Sequence, residues 1–380
     1  MYTIHDYGEM IANDLRTKAY ERALSRSISP GAVVLDIGTG TGVFAMLACR
    51  LGARRVFAIE PGDAIQVARE IAAANGFSER IEFIQGLSTE IELPERADVI
   101  VSDLHGILPL FDQHLVAVAD ARSRHLAPGG LMIPEQETLW VAAVEAPAQY
   151  AALTLPWEGA VAGLDMKAAR PLVINTFYRS AAGPEHIVAG PQQLGTLDYR
   201  QIESPRFTGT ANAVAARKAR AHGLCVWFDS VLATGVAFSN APGSPRLIYG
   251  RAFFPWTEPV DLDVGDQVVV SMRADLVGTG YIWSWNTRIS NAAGKPKAQM
   301  RQSEFDAREL SPASLRKQAA SHVPRLNEDG LIDQLILRMM GEERPLGEIA
   351  AEVAARHPAR FPRALDALSR ASDLSLRYSR

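Results

Sequence analysis

The chain has 380 residues, 47% of them hydrophobic and 22% charged, a balance that supports a large folded core and excludes wholesale disorder or a fibrous repeat. The length exceeds what one ordinary core organises, so two domains, or one domain with large additions, are expected. Thirty-nine Lys and Arg against 43 Asp and Glu give a net charge of −4, which argues against a dedicated nucleic-acid binder working by long-range phosphate attraction.

From Glu9 to Leu24, apolar residues recur at a helical period and leave Asp14, Arg16, Lys18 and Arg22 on other faces, so the spacing predicts an amphipathic opening helix. Short β-rich runs follow at Val33–Asp36, Arg55–Glu60, Ile81–Gln85 and Ala97–Asp103. Helical segments at Val43–Leu51 and Ala64–Asn75 separate them. This alternation is the pattern of an α/β parallel sheet covered by helices, and it assigns residues 1–134 to one domain. Leu126-Ala127-Pro128-Gly129-Gly130 reads as a turn. Beyond it the character becomes mostly β to about Ile289, with strands expected at Gly223–Phe228, Val231–Phe238, Val268–Met272 and Tyr281–Thr287. Residues 135–290 therefore form a second domain, and the polar stretch 291–312 reads as a linker. Helical periodicity returns at Leu331–Met340, Leu346–Arg356 and Pro362–Ser369, a small tail module over 313–380.

Cys49 and Cys225 lie in apolar runs without metal-site or redox-pair spacing, so buried thiols and a reducing cytoplasm are expected, with no metal. Neither a signal-peptide pattern nor a bilayer-spanning run is evident, so a soluble, unexported protein is expected. The aromatic segments Trp227-Phe228-Asp229 and Trp283-Ser284-Trp285 alternate as strands do, which favours barrel core over a cage for a cation.

The strongest chemical signal is Val33-Val34-Leu35-Asp36-Ile37-Gly38-Thr39-Gly40-Thr41-Gly42, a strand running into three alternating glycines at the mouth of a helix. Glycines are wanted where the chain turns tightly and a ligand approaches its backbone. Glu60 ends the next strand about 20 residues on, placed to hold ribose hydroxyls. A dinucleotide site would use the same carboxylate, but the third glycine of its fingerprint would fall on Val43. The G-x-G-x-G spacing favours S-adenosylmethionine, which carries no pyrophosphate.

Tyr7-Gly8-Glu9-Met10-Ile11, Asp14, Arg16-Thr17-Lys18-Ala19-Tyr20, the Leu35–Gly42 loop, Ala58-Ile59-Glu60, Glu90-Ile91-Glu92-Leu93-Pro94, Asp98–Asp103 and Leu126–Gly130 together resemble the protein arginine N-methyltransferases, in order and with similar spacing over the first 290 residues. The resemblance implies a Rossmann-like class I methyltransferase domain followed by a β-barrel, and a head-to-tail homodimer made by a helical arm near 158–185. It implies an S-adenosylmethionine-dependent N-methyltransferase acting on an arginine-like nitrogen of a peptide or protein. Arg16 matches the arginine that grips the donor's carboxylate, for which a guanidinium fork is suited. Met10, Asp36, Gly38, Gly40, Gly42 and Glu60 match the rest of the cofactor site. Ser88 and Thr89 match the residues at the adenine edge, although Thr89 stands where an acidic residue is usual.

The acceptor loop departs from the family. Its two glutamate positions fall on Asp103 and Asp112, each one methylene shorter, about 1.5 Å of reach. Carboxylates are needed there because a guanidinium stays protonated and the sulfonium is also positive. The barrel loop Thr-His-Trp aligns with Leu247-Ile248-Tyr249, so its histidine is absent, and His105 is a candidate replacement as a polar or basic group, against an exposed or hydrogen-bonded structural histidine. Tyr2 and Tyr7 are what remains of a tyrosine-rich cap helix, and either closes the site or packs. The tail lies outside the family pattern. It vaguely resembles winged-helix leader-binding modules of peptide-modifying enzymes, against a plain helical packing module, so a precursor peptide held by the tail is one expected partner. Free arginine or another metabolite, a histidine ring nitrogen, or a non-catalytic cofactor-binding scaffold stay open as alternatives.

Overall fold

The computed structural model describes residues 2–309 and 311–379. Two helices, α1 (Ile4–Ala12) and α2 (Asp14–Ser27), replace the single opening helix that the periodicity predicts. The break falls at Asn13, whose side-chain oxygen accepts the Arg16 N–H. Asparagine is a strong N-cap residue, so a new helix begins there although the apolar period runs on.

Strands β1 (Val33–Ile37), β2 (Arg55–Glu60), β3 (Ile81–Gln85), β4 (Ala97–Ser102) and β5 (Leu126–Ile133) form a parallel sheet in the order β3-β2-β1-β4-β5. Helices α3 (Val43–Arg50), α4 (Ala64–Ala74) and α5 (His114–His125) connect them. The strand order reverses beside β1, and Ile37 lies opposite Ser102 in the register of β1 with β4. The loops after these two strands therefore open side by side at the carboxyl edge of the sheet, where such folds place their ligands. Leu126–Gly130, expected as a turn, is instead the irregular start of β5, with a register break before Leu131.

An antiparallel β domain follows. Strand β6 (Gln136–Val144) lies between Ile187–Asp198 and Ala219–Ala233 in a six-stranded sheet that also holds Ala252–Leu262, Tyr178–Arg179 and Val236–Ser239. The expected strand 231–238 bends back at Gly235, where φ is 71°, and is shared between two strands. A four-stranded sheet of Phe207–Val214, Gln267–Val277, Gly280–Ser290 and Pro296–Ser303 completes the barrel-like domain. The last of these strands corrects the linker reading of 291–312, since Thr287 pairs with Met300 and Trp285 with Gln302. Polar residues on a strand with one solvent-facing side look like a linker when read without their partner. Trp227, Trp256, Trp283 and Trp285 are all buried, and the last three lie in one core with Phe254 and Val141.

Met1–Arg308 forms one compact unit and Glu309–Arg380 a second. The second is built on the helices Pro312–Gln318, Glu328–Gly341, Leu346–Arg356 and Ala364–Tyr378, around Ile332, Ile336, Met339, Ile349 and Val353. Among its described residues there is no strand, so it lacks the wing that a winged-helix reading requires. The helical periods at 331–340, 346–356 and 362–369 fall on its last three helices, the third of which runs to Tyr378.

Candidate functional site

The glycine loop leaves β1 with Gly38, Gly40 and Gly42 all at positive φ. At Gly40 two constraints coincide. Its φ of 52° is strained for any residue with a side chain, and an added Cβ would collide with the Tyr7 ring. Tyr7 is thus laid over the loop from α1, and Tyr2 meets it edge-on at 6.0 Å between ring centroids. The Tyr2 hydroxyl donates to the His105 carbonyl at 3.4 Å, which ties this pair of rings to the loop after β4. Gly40→Ala is expected to abolish stabilisation of the protein by S-adenosylhomocysteine in a melting experiment, while the unliganded protein still folds.

Glu60 is buried, and its two oxygens accept the N–H groups of Gly40 at 3.1 Å and Gly62 at 2.8 Å. Asp36 receives the Thr39 hydroxyl at 2.6 Å and the Ala45 N–H at 3.1 Å on one oxygen, while its other oxygen is buried without a partner. Burial pushes the Asp36 carboxyl up to about 7. An orphaned acceptor beside a glycine loop and a ribose-type carboxylate suits a nucleoside ligand with hydroxyl and ammonium donors, so the residues present fit S-adenosylmethionine. Ser88 is buried with its carbonyl held by Arg124 at 2.8 Å, and Thr89 beside it is exposed at the start of a 3-10 turn.

Arg16 is buried against the stacked rings of Phe44 and Tyr20, with its guanidinium carbon 5.0 Å and 5.6 Å from their centroids. Its Nε donates to Asp103 Oδ2 at 2.5 Å and its Nη2 forms an ion pair with the same oxygen. Nη1 reaches only the Met10 carbonyl, at 3.4 Å. Asp103 stands just past the end of β4 and is enclosed by donors. His105 Nδ1 lies 2.5 Å from its Oδ1, and the Tyr249 hydroxyl is 2.9 Å from both oxygens. Burial opposes ionisation here, but the Arg16 charge and the His105 hydrogen bond outweigh it and hold the carboxyl well below the usual range.

Tyr249 sits in the loop aligned with Thr-His-Trp, and its hydroxyl supplies a hydrogen bond where that loop's histidine is missing. His105 does not act as a free base. Its ring is fully buried, with Nδ1 on Asp103 and Nε2 at 2.7 Å from Glu137 Oε1. Burial alone would lower its pKa, but the Glu137 charge and the two carboxylate hydrogen bonds prevail and push it up to about 10. Glu137, on β6, is fully buried and also receives the Tyr199 hydroxyl at 2.5 Å. Sequence reasoning missed Glu137, and it named Tyr249 only as part of the loop that lacks the histidine. Asp112 is different in kind: it is exposed, at a φ of 41°, and has no hydrogen-bond partner among the described residues.

This arrangement fixes how stability depends on pH. The folded His105 pKa exceeds the ordinary 6.5, so its contribution is full below pH 6.5 and is lost as pH rises to about 10. The depressed carboxyls of Asp103 and Glu137 contribute above the ordinary values of 3.8 and 4.5, and that contribution is lost on acidification. The melting temperature is therefore expected to fall steadily between pH 6.5 and 10, and His105→Gln is expected to flatten that slope.

Residues 16–135 match the family model described as ribosomal protein L11 methyltransferase (PrmA), which spans the parallel-sheet core. A probable protein arginine N-methyltransferase 1.2 of Arabidopsis thaliana is 31% identical over 279 residues, covering 71% of this chain and 75% of the relative. The chain belongs to the protein arginine N-methyltransferase family. A probable protein arginine N-methyltransferase 6 of the same plant is 32% identical over 251 residues, covering 64% of this chain but 56% of the relative. Among solved structures, the Trypanosoma brucei PRMT1 enzyme-prozyme heterotetrameric complex with AdoHcy matches with a TM-score of 0.73 and 25% identity, over 80% of this chain and 98% of that one. The fold is accordingly the class I methyltransferase domain with its β-barrel. No helix among the described residues is long and apolar enough to cross a membrane.

Proposed function

We propose that this methyltransferase transfers a methyl group from S-adenosylmethionine to a guanidinium nitrogen of arginine in a peptide or protein, with Asp112 as the carboxylate that meets the acceptor. The observation that carries this reading is the contrast between the two loop aspartates. Asp103 has its oxygens filled by Arg16, His105 and Tyr249, whereas Asp112 is exposed and unpaired among the described residues. A carboxylate accepts through about four lone-pair sites, and those of Asp103 are engaged.

S-adenosylmethionine supplies an electrophilic methyl group, and the chain's residues bind and orient it. Glu60 presents lone pairs beyond its two backbone hydrogen bonds for ribose hydroxyls. Met10 on α1 and Ser88 and Thr89 after β3 are assigned to the donor's borders, and Arg16 Nη1, whose contact among the described residues is the Met10 carbonyl at 3.4 Å, is the donor offered to the methionine carboxylate. The Tyr2 and Tyr7 rings shield this region from water, which strengthens the ionic contacts inside. Rate enhancement then comes from proximity and from the Asp112 charge beside a cationic acceptor.

The filled coordination of Asp103 favours a second reading, a cofactor-binding scaffold without transfer chemistry. Full-length protein incubated with isotopically labelled methyl donor and host lysate separates them. Mass spectrometry is expected to find the label on arginine nitrogen of peptides or proteins. Labelling of a histidine ring or of a small metabolite moves the acceptor elsewhere, and no labelling at all favours the scaffold.

The homodimer is proposed on the segment 158–185, where the hairpin Ala160–Val161 with Leu164–Asp165 carries Val161 and Leu164 more than half exposed. Leu155, just before it, is exposed as well. Such a cluster is unusual without a partner. A cytoplasmic location is supported by two buried, unpaired cysteines. The helical tail, with its own core, is proposed to hold the peptide substrate.

A further inference from the structure

Glu137 occupies a core position. Along β6 it alternates in phase with the buried Leu139 and Val141, and its side chain is wholly enclosed. A carboxylate is kept in such a place only with partners, and it has two: the Tyr199 hydroxyl at 2.5 Å and His105 Nε2 at 2.7 Å. A neutral imidazole has one N–H, yet both ring nitrogens of His105 lie within hydrogen-bond distance of carboxylate oxygens. Two acceptor-only partners require a donor at each nitrogen. The surroundings agree: His105 stacks on Phe228 at 5.4 Å, and the neighbouring His114 is neutral, its pKa driven down to about 4 by burial and by the His105 charge. Tyr249 is the other polar ring against His105, with centroids 5.2 Å apart.

We propose that Glu137 is a positioning residue for the methyl donor: it holds His105 with both ring nitrogens protonated, His105 holds Asp103, and Asp103 fixes the Arg16 guanidinium for the donor's carboxylate. The buried charges Arg16, Asp103, His105 and Glu137 alternate in sign and sum to zero. Removing the terminal negative charge leaves two cations sharing Asp103, so the proton on His105 Nε2 leaves and the ring holds Asp103 as a neutral donor instead of a charged one. The role deepens the reading of Arg16 given above. Its test needs no acceptor, so failure of methyl transfer to arginine and failure of this role are distinguishable.

The full chain labelled with nitrogen-15 histidine is examined by NMR, with His105→Gln assigning the signal. Both ring nitrogens of His105 are expected to keep imidazolium shifts at pH 8, and Glu137→Gln is expected to convert the ring to a neutral tautomer at that pH. Titration calorimetry with S-adenosylhomocysteine is expected to give a Kd raised about tenfold in Glu137→Gln, the scale of one charge-assisted contact. Tyr199→Phe, which keeps the carboxylate and removes one hydrogen bond to it, is expected to shift both readouts in the same direction by less. If Glu137→Gln does not fold, Tyr199→Phe and the unaltered protein decide the matter. A neutral His105 at pH 8 in the unaltered protein, or unchanged affinity in the variant that alters the ring, overturns the proposal.

Discussion

Replacing Asp103 with Ala is expected to weaken S-adenosylhomocysteine binding at least tenfold and to destabilise the protein by about 3–5 kcal/mol, the usual cost of removing one partner of a buried ion pair. The reason lies in what the side chain touches. Arg16 Nε and Nη2 both end on Asp103 Oδ2, and His105 Nδ1 ends on Oδ1, so its removal leaves two buried cations without a counter-charge. Arg16 would then be free to rotate away from the position in which Nη1 is offered to the donor. Asp103→Asn keeps the shape while removing the charge, and it separates cavity effects from electrostatic ones. Calorimetry and thermal melting check both variants; unchanged donor affinity in both would mean that Arg16 does not depend on Asp103.

Asp112→Asn is expected to behave in the opposite way. It should lower kcat/KM for the arginine acceptor by about 10- to 100-fold, corresponding to the 1.5–3 kcal/mol typical of a hydrogen bond to a charged group, and leave S-adenosylhomocysteine affinity and melting temperature unchanged. Asp112 is exposed and makes no hydrogen bond among the described residues, so nothing in the fold depends on its charge. Steady-state kinetics with the acceptor varied at saturating donor measure the effect. A fall in donor affinity would place Asp112 on the wrong side of the site.

The parallel sheet was legible because short β-rich runs alternate with helical ones and its first turn carries three glycines with one workable backbone geometry. The position of Glu60 at the end of β2 was legible by spacing. Asp103 and Asp112 were found as a pair, but the sequence treats them as equivalent, and only the tertiary contacts of Arg16, His105 and Tyr249 divide their roles. Whether His105 is a basic group or a hydrogen-bonded one is not decided by the sequence, because its second partner, Glu137, lies 32 residues away on β6. A signal for Glu137 did exist. The alternation of Glu137, Leu139 and Val141 puts a carboxylate in an inward-facing position, which is informative wherever it occurs. Pro296–Ser303 offered no comparable signal, since its strand character depends on pairing with Gly280–Ser290.

Donor affinity measured side by side in the two aspartate variants tests the division of labour most directly. Titration of S-adenosylhomocysteine into Asp103→Asn and Asp112→Asn, at one pH near neutrality, is expected to show a Kd raised about tenfold or more in the first and unchanged in the second. Equal affinities in the two variants, or the reverse order, would contradict the assignment of Asp103 to the donor and Asp112 to the acceptor.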